Sequence, residues 1–300
     1  AMVATNTPWL CPQTASLMPP GPLVQTLKLP DANASHPNAV SAIAIASDGR
    51  VVFVPWDPNY AFWTWDLKTG ASEPLSEPDG QMTAVTALEV LADGRFVFAT
   101  WLGSNVWVHD PNSGEYRQLP GHSERVTSLA ALPDGRAVSG SEDGTVRVWN
   151  VDGGEPRLLE GHKGGVTSVA VLSEKRVVSG SLDKTVRVWD LESNEIQELK
   201  GHAESVNRVA AFPGGRSIVS VDIDGLRVWN LVEKKSLAFH ADLWVPNGLS
   251  ALPDGRVMIS SSFGRELKVL NVESGEIQEL AGHTDHVTST AVTSDGRVVS

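Results

Sequence analysis

Three sets of serine, histidine and aspartate recur along the chain and could in principle do chemistry. The sets are His122, Ser139 and Asp143; His162, Ser179 and Asp183; and His202, Ser220 and Asp224. A serine activated by a histidine that an aspartate orients is the nucleophile of many hydrolases. Catalysis needs one triad, whereas this chain has three copies, and no serine lies in a Gly-x-Ser-x-Gly turn. We therefore interpret these residues as structural and predict no catalytic residue.

Tryptophans follow the same spacing as the histidines. Trp149, Trp189 and Trp229 are 40 residues apart, and each lies 27 residues after the histidine of its set. Two residue types that share one period indicate an internal repeat of that length.

Each repeat contains four short segments that favour β-strands. In the clearest copy, residues 126–132 are an apolar run, and 137–141, 145–150 and 157–159 are further strand-like segments. Asp-Gly pairs separate the first three segments, as expected for tight hairpins. Four short antiparallel strands in about 40 residues predict one blade of a β-propeller.

The repeat resembles the WD-repeat family. The resemblance rests on Gly-His pairs and on Trp-Asp or Trp-Asn pairs: Gly121-His122, Gly161-His162, Gly201-His202, Gly282-His283, Trp149-Asn150, Trp189-Asp190 and Trp229-Asn230. The resemblance covers about residues 23–300. The proteins that the chain resembles include bacterial WD-repeat proteins and propeller regions of larger multidomain proteins. It implies an all-β fold, a seven-bladed propeller of four-stranded antiparallel blades.

The resemblance also implies a role for the recurring polar residues. In such a relay the tryptophan N–H donates to serine, serine bonds histidine, and histidine bonds aspartate. Tryptophan only donates, and a neutral histidine donates through one nitrogen and accepts through the other, so all members can be satisfied. Blades 3, 4 and 5 carry the full set.

The seven periods set the expected domain limits. Residues 1–22 are rich in proline and are interpreted as a linker or tag region, and residues 23–300 as the propeller. Residues 23–29 are expected to form the outer strand of blade 7. The third strand of that blade is not found before Ser300, so we expect blade 7 to be incomplete here. Completion by continuation of the chain is favoured, with another chain or the N-terminal segment as alternatives.

Function is expected where a blade departs from the repeat. Blades 1, 2 and 6 lack the full relay, and their loops carry large aromatic residues. With two residues of neighbouring blades these form the candidate binding face: Trp56, Tyr60, Trp101, Trp244, Phe263, His286 and Arg125. Aromatic residues are enriched at binding hot spots. The alternative is that they fill space left by the degenerate relays.

Seven arginines recur at the turns between the first and second segments of each period, at Arg50, Arg95, Arg136, Arg176, Arg216, Arg256 and Arg297. They could form an anion-binding ring. We favour ordinary ion pairs with nearby turn acids such as Asp48, Asp93, Asp134, Asp254 and Asp295, because such pairs are common.

Composition excludes several classes. The formal net charge of −12 disfavours nucleic-acid binding. No apolar stretch approaches membrane-spanning length, so no membrane association is expected. The single cysteine, Cys11, forms no intrachain disulfide, and we expect a cytoplasmic protein. No zinc spacing or nucleotide fingerprint is present, so no metal or cofactor is predicted.

The leading functional hypothesis is a non-catalytic scaffold or sensor that binds a protein or peptide. In this family such propellers often serve as the recognition module of a larger signalling protein. The alternative is a small-molecule-binding or enzymatic propeller that uses the central channel. Its inner segments offer hydroxyl groups and Arg208 but no acid–base pair.

Overall fold

The computed structural model describes residues 40–46, 48–55, 62–74, 85–240, 246–261, 265, 267–280, 283, 286–287, 289–293 and 297–300. Within these residues every regular element is a β-strand. The predicted all-β class and the four-stranded antiparallel blades are confirmed, with six such sheets and one two-stranded sheet.

Blades 1 to 3 come first in chain order. Blade 1 contains β1 (Val40–Ile45), β2 (Val51–Pro55), β3 (Trp63–Trp65) and β4 (Ser72–Pro74). Blade 2 contains β5 (Val85–Val90), β6 (Phe96–Thr100), β7 (Val106–His109) and β8 (Tyr116–Leu119). Blade 3 contains β9 (Val126–Ala131), β10 (Ala137–Ser141), β11 (Val146–Trp149) and β12 (Arg157–Leu159).

The remaining sheets follow in chain order. Blade 4 contains β13 (Val166–Ser173), β14 (Arg176–Ser181), β15 (Thr185–Asp190) and β16 (Ile196–Lys200). Blade 5 contains β17 (Arg208–Ala211), β18 (Ser217–Asp222), β19 (Gly225–Asn230) and β20 (Lys235–His240). Blade 6 contains β21 (Pro246–Ala251), β22 (Arg256–Ser261), β23 (Leu267–Asn271) and β24 (Ile277–Leu280). The two-stranded sheet contains β25 (Ala291–Val292) and β26 (Val298–Val299).

The first strands of the blades surround the axis of the propeller. From blade 1 to blade 6 the first strand of each blade contacts the first strand of the next, and β25 contacts β1. The two-stranded sheet packs on both neighbours, because Val298 contacts the buried cluster of blade 6 and Val299 contacts that of blade 1. The described sheets are therefore arranged around one central channel.

The hydrophobic core lies between adjacent blades. Trp149 of blade 3 packs with Leu91 and Val97 of blade 2. Trp189 of blade 4 packs in the same way with Leu132 and Val138 of blade 3. Each tryptophan thus joins two blades and places its indole N–H inside its own blade.

The turns between first and second strands use aspartate, glycine and arginine together. In blade 3, Gly135 adopts a φ of 87°, a conformation that glycine tolerates best. The Asp134 carboxylate accepts the backbone N–H of Arg136 at 3.1 Å and pairs with its guanidinium. Arg50, Arg95 and Arg256 pair in the same way with Asp48, Asp93 and Asp254. These four arginines therefore form the predicted ion pairs.

Candidate functional site

The relay of blade 3 links four side chains in a line. Trp149 Nε1 donates to Ser139 Oγ at 2.7 Å, and Ser139 Oγ lies 2.7 Å from His122 Nε2. His122 Nδ1 lies 2.8 Å from Asp143 Oδ2. Because the serine hydroxyl accepts from tryptophan, its proton points to Nε2, and Nδ1–H donates to the aspartate.

Blade 4 repeats this geometry. Trp189 Nε1 donates to Ser179 Oγ at 2.8 Å, His162 Nε2 is 2.8 Å from that oxygen, and Nδ1 is 2.9 Å from Asp183. Ser139 and Ser179 are fully buried. A serine that is inaccessible and already accepts a tryptophan N–H offers no nucleophile to a substrate. The arrangement braces the blade.

Burial and hydrogen bonding set the charges of the relay. Burial lowers the pKa of His122, His162 and His202, against the smaller upward effect of their aspartate partners. Burial acts to raise the pKa of Asp143, but hydrogen bonds from Thr145 and His122 together outweigh it and hold that pKa at about 2. In blade 4 burial likewise acts to raise the pKa of Asp183, but hydrogen bonds from Thr185, Lys163 and His162 outweigh it and lower that pKa. At neutral pH the relays of blades 3 and 4 therefore contain a neutral imidazole next to an ionised carboxylate.

The prediction that Asp224 belongs to the relay of blade 5 is wrong. His202 Nδ1 bonds Asp222 Oδ2 at 2.8 Å, and the exposed Asp224 does not contact the histidine. In this blade β18 extends to Asp222, which pairs with Gly225 across a two-residue turn. Asp224 therefore lies at the tip of the hairpin. The other links follow the prediction, with Ser220 Oγ 2.6 Å from His202 Nε2 and 2.7 Å from Trp229 Nε1.

Blades 1 and 2 contain buried polar atoms without such partners. Trp65 Nε1 and His109 Nε2 are buried and form no hydrogen bond. The His109 ring stacks on Tyr116 at 4.1 Å and lies parallel to Phe62 at 5.9 Å. In blade 6, Leu270 occupies the tryptophan position and is fully buried. Aromatic or aliphatic packing thus replaces the relay in these blades.

One face of the propeller, here called the upper face, is formed by the loops between second and third strands and the segments that precede the first strands. Backbone hydrogen bonds join the two kinds of segment: Val126 N donates to Gly103 O, Glu142 N to Arg125 O, and Leu182 N to Gly165 O. The loops are therefore held in place by backbone contacts.

Large apolar side chains are exposed on this face in three blades. Trp101 is 51% exposed and Leu102 82% in blade 2, Leu182 is 53% exposed in blade 4, and Ile223 is 49% exposed in blade 5. Trp101 was predicted as a binding residue, and its exposure excludes the alternative that it fills an internal gap. Leu182 and Ile223 were not predicted, because they lie in regular blades. The sequence feature that could have identified them is an apolar residue at the tip of a loop.

Arg125 connects this face across blades 2 and 3. Its guanidinium lies 4.7 Å from the centre of the Trp101 ring and pairs with the carboxylate of Glu142. Gly165 then lets blade 4 approach, since a Cβ there would lie 3.2 Å from the Glu142 backbone. We define the upper strip as Trp101, Leu102, Arg125, Glu142, Leu182 and Ile223.

Of the remaining residues of the predicted face, the structure describes His286 and not the four aromatic ones. Trp56, Tyr60, Trp244 and Phe263 lie outside the described residues. His286 is exposed and takes part in an interaction within the chain. The predicted arc through blades 6, 7, 1 and 2 thus has one described aromatic member, Trp101.

The described first strands carry two charged side chains. Arg208 in β17 donates to the backbone oxygens of Asn247, Thr167 and Asn207 at 2.8, 3.4 and 2.9 Å. Glu89 in β5 forms no hydrogen bond or ion pair with a described residue, and burial raises its pKa to about 7. The two side chains do not pair, so they form no acid–base couple.

Two further features are absent from the residues that the structure describes. No helix there is long and apolar enough to cross a membrane. No group of three or more histidine, cysteine, aspartate or glutamate side chains there could hold a metal ion.

Comparison with known proteins agrees with the repeat. The family model described as WD domain, G-beta repeat matches residues 114–150, 154–190 and 193–230. A search of curated proteins found no match to the chain. The matched segments cover β8 of blade 2, the relays of blades 3 to 5 and the strands of those blades except β20. Together with the propeller arrangement of the described sheets, the three matched repeats support a WD-repeat β-propeller family for this chain.

Proposed function

We propose that this protein is a non-catalytic scaffold that binds a peptide segment of a protein partner on the upper strip. The observation that carries the proposal is the exposure of Trp101, Leu102, Leu182 and Ile223 on one face of the ring. Exposed apolar side chains that share a surface mark interaction sites more often than isolated ones do. Protein interaction is also the typical role of WD propellers.

The details of the strip suit a binding surface. Trp101 is a large aromatic side chain whose ring is held by Arg125, and such rigid anchors lose little conformational entropy when a partner binds. The Arg125–Glu142 pair provides one donor and one acceptor beside the anchor. Leu182 and Ile223 extend the apolar surface along the ring, as an extended peptide requires.

We also propose that the ring has seven blade positions. The two-stranded sheet lies against blade 6 on one side and blade 1 on the other. His283 Nε2 lies 2.7 Å from Ser300 Oγ, and the 17-residue separation equals that of His122 and Ser139. This sheet therefore carries the histidine–serine link of a seventh relay. A propeller of this kind suits the recognition module of a larger signalling protein in the cytoplasm.

Selection of peptides on the purified protein tests the binding function. A displayed peptide library is selected on the wild type, and the recovered peptides are measured on Trp101→Ala and Leu182→Ser. Loss of a hot-spot side chain costs about 2 kcal/mol or more, so we expect binding at least about tenfold weaker.

The matched control is Val232→Ser. Val232 is 73% exposed, but it lies in the turn between β19 and β20 on the opposite face. This variant should bind the peptides as the wild type does. Equal binding by all four proteins, or loss in Val232→Ser alone, would exclude the upper strip as the binding site.

A further inference from the structure

Arg208 breaks the repeat at the axis of the propeller. In blades 3 and 4 the equivalent residues are Ser128 and Ser168, whose hydroxyls accept the backbone N–H of Val169 and Val209 in the next blade. Arg208 is the only basic residue in the described first strands, and Glu89 is the only acidic one. A long cationic side chain at this position is not required to join two blades.

The guanidinium lies on the channel side of three blades. It donates to backbone oxygens of blade 4 (Thr167), blade 5 (Asn207) and blade 6 (Asn247). A first strand pairs with its blade along one edge only, so the carbonyl groups on its other edge point to the axis. The three acceptors hold the guanidinium across this inner surface.

One guanidinium nitrogen of Arg208 has no hydrogen-bond partner among the described residues, and its positive charge has no carboxylate partner among them. Nε and Nη1 donate to the carbonyl groups, whereas Nη2 bonds no described residue. Nη2 is also not among the described side-chain atoms that are both buried and without a hydrogen-bond partner, so it remains accessible. No described carboxylate pairs with Arg208. Burial alone lowers its pKa, without an ion pair that opposes the shift. The side chain is only partly buried, so its positive charge stays open to an anion that approaches from the channel.

The site lies at the end of the channel that opens on the upper face. Arg208, Thr167 and Asn247 are near the starts of β17, β13 and β21. Those starts adjoin the loops of the upper face, as the bond from Leu182 N to Gly165 O at 2.9 Å illustrates for β13. A side chain that descends from a peptide on the upper strip would meet Nη2.

We infer that this end of the channel receives the side-chain carboxylate of an aspartate or glutamate in the bound peptide, with Arg208 Nη2 donating to one carboxylate oxygen. The inference rests on the proposed peptide-binding function. One free nitrogen and one positive charge match a single monoanionic group. A dianionic phosphate would leave an excess negative charge in a protein whose net charge is already −12.

Acetate is the first probe, because it presents the same carboxylate without a peptide. At constant ionic strength, saturating acetate should raise the melting temperature of the wild type by about 2–4 °C, whereas acetamide should not. Arg208→Met should lose this shift. The matched control is Arg95→Met, because Arg95 is already paired with Asp93 and Asp152 and lies on the opposite face. It should keep the shift.

A second measurement covers the case in which Arg208→Met does not fold. Acetate titrated into the isotope-labelled wild type should shift the backbone amide signals of Thr167, Arg208 and Asn247 in a saturable way. No saturable change in the wild type, an equal melting shift in Arg208→Met, or equally strong binding of inorganic phosphate would overturn the inference.

The third measurement uses the peptides selected on the wild type. Replacing their aspartate and glutamate with asparagine and glutamine should weaken binding about tenfold or more, whereas amidation of the C-terminus should not. Loss on amidation alone, or no loss in either case, would overturn the assignment to a side chain. Trp101→Ala should still bind acetate, so failure of the channel site and failure of the upper strip give different results.

Discussion

Blades 3 to 5 and blades 1 and 2 hold the same fold by different interactions. In blade 4, Trp189, Ser179, His162 and Asp183 form one hydrogen-bonded line, and every link is shorter than 3 Å. In blades 1 and 2 a buried tryptophan nitrogen and a buried histidine nitrogen have no partner. In blade 2 the His109 ring stacks on Tyr116 in place of the relay, and its Nδ1 lies 3.3 Å from Glu115 O.

The difference shows which part of a blade is free to change. A relay needs four particular residues at once, because loss of one leaves another buried polar group unsatisfied. Aromatic packing needs only shape and volume. Loop tips are independent of both, since exposed apolar residues occur at Trp101 in a diverged blade and at Leu182 in a regular one. A binding surface can therefore cross both kinds of blade.

The largest expected effect is the loss of a relay tryptophan. Trp189→Ala removes a buried indole that packs on blade 3 and should lower the free energy of unfolding by about 3–5 kcal/mol. Urea denaturation measures it. Trp189→Leu, which copies the residue of blade 6, should cost less because it refills part of the volume. Equal losses for both would mean that the hydrogen bond, and not packing, dominates.

The second-largest effect is expected at Asp222, the relay aspartate of blade 5. Asp222→Ala removes the acceptor of His202 Nδ1 and of two backbone N–H groups, so we expect a loss of about 2–3 kcal/mol. Asp224→Ala changes an exposed turn residue and should alter stability by about 0.5 kcal/mol or less. The reverse order in thermal denaturation would restore Asp224 to the relay.

Acidification tests the histidines of both kinds of blade together. Burial lowers the pKa of His109, His122, His162 and His202 in the folded state, so below the unfolded pKa of about 6.5 the unfolded chain binds more protons. Stability should be present above that pH and fall as the pH decreases. The slope approaches about 1.4 kcal/mol per pH unit for each histidine. Urea midpoints at pH 7.5 and 5.5 measure this, and an unchanged midpoint contradicts it.

The smallest effect should have the opposite sign. His109→Phe removes the buried, unbonded Nε2 and keeps an aromatic ring against Tyr116. It also removes the long bond of Nδ1 with Glu115 O, but that oxygen still accepts from Asp110 N, so stability should rise by about 1 kcal/mol. The same change at His162 should destabilise the protein, because it leaves Asp183 and Ser179 without their partner. Calorimetry of the two variants measures both. Destabilisation at both positions would mean that the two blades depend on histidine alike.

Much of the fold could be predicted from local patterns. The 40-residue period, the Asp-Gly turns and the Gly-His and Trp-Asp pairs predicted four-stranded blades and most relay members. Asp224 was mistaken because the offset of four residues from Ser139 to Asp143 was carried over to blade 5. There the hairpin is tighter and Asp222 pairs with Gly225, a register that spacing alone does not reveal.

The sequence by itself determined the repeat, because turn residues, apolar alternation and the relay depend on neighbours within one period. Only the tertiary structure decided which loop tips are exposed and which charges lack a partner. The exposure of Leu182 and the carbonyl contacts of Arg208 both depend on how separate blades meet around the axis. Those meetings join residues about 40 positions apart, so no local pattern records them.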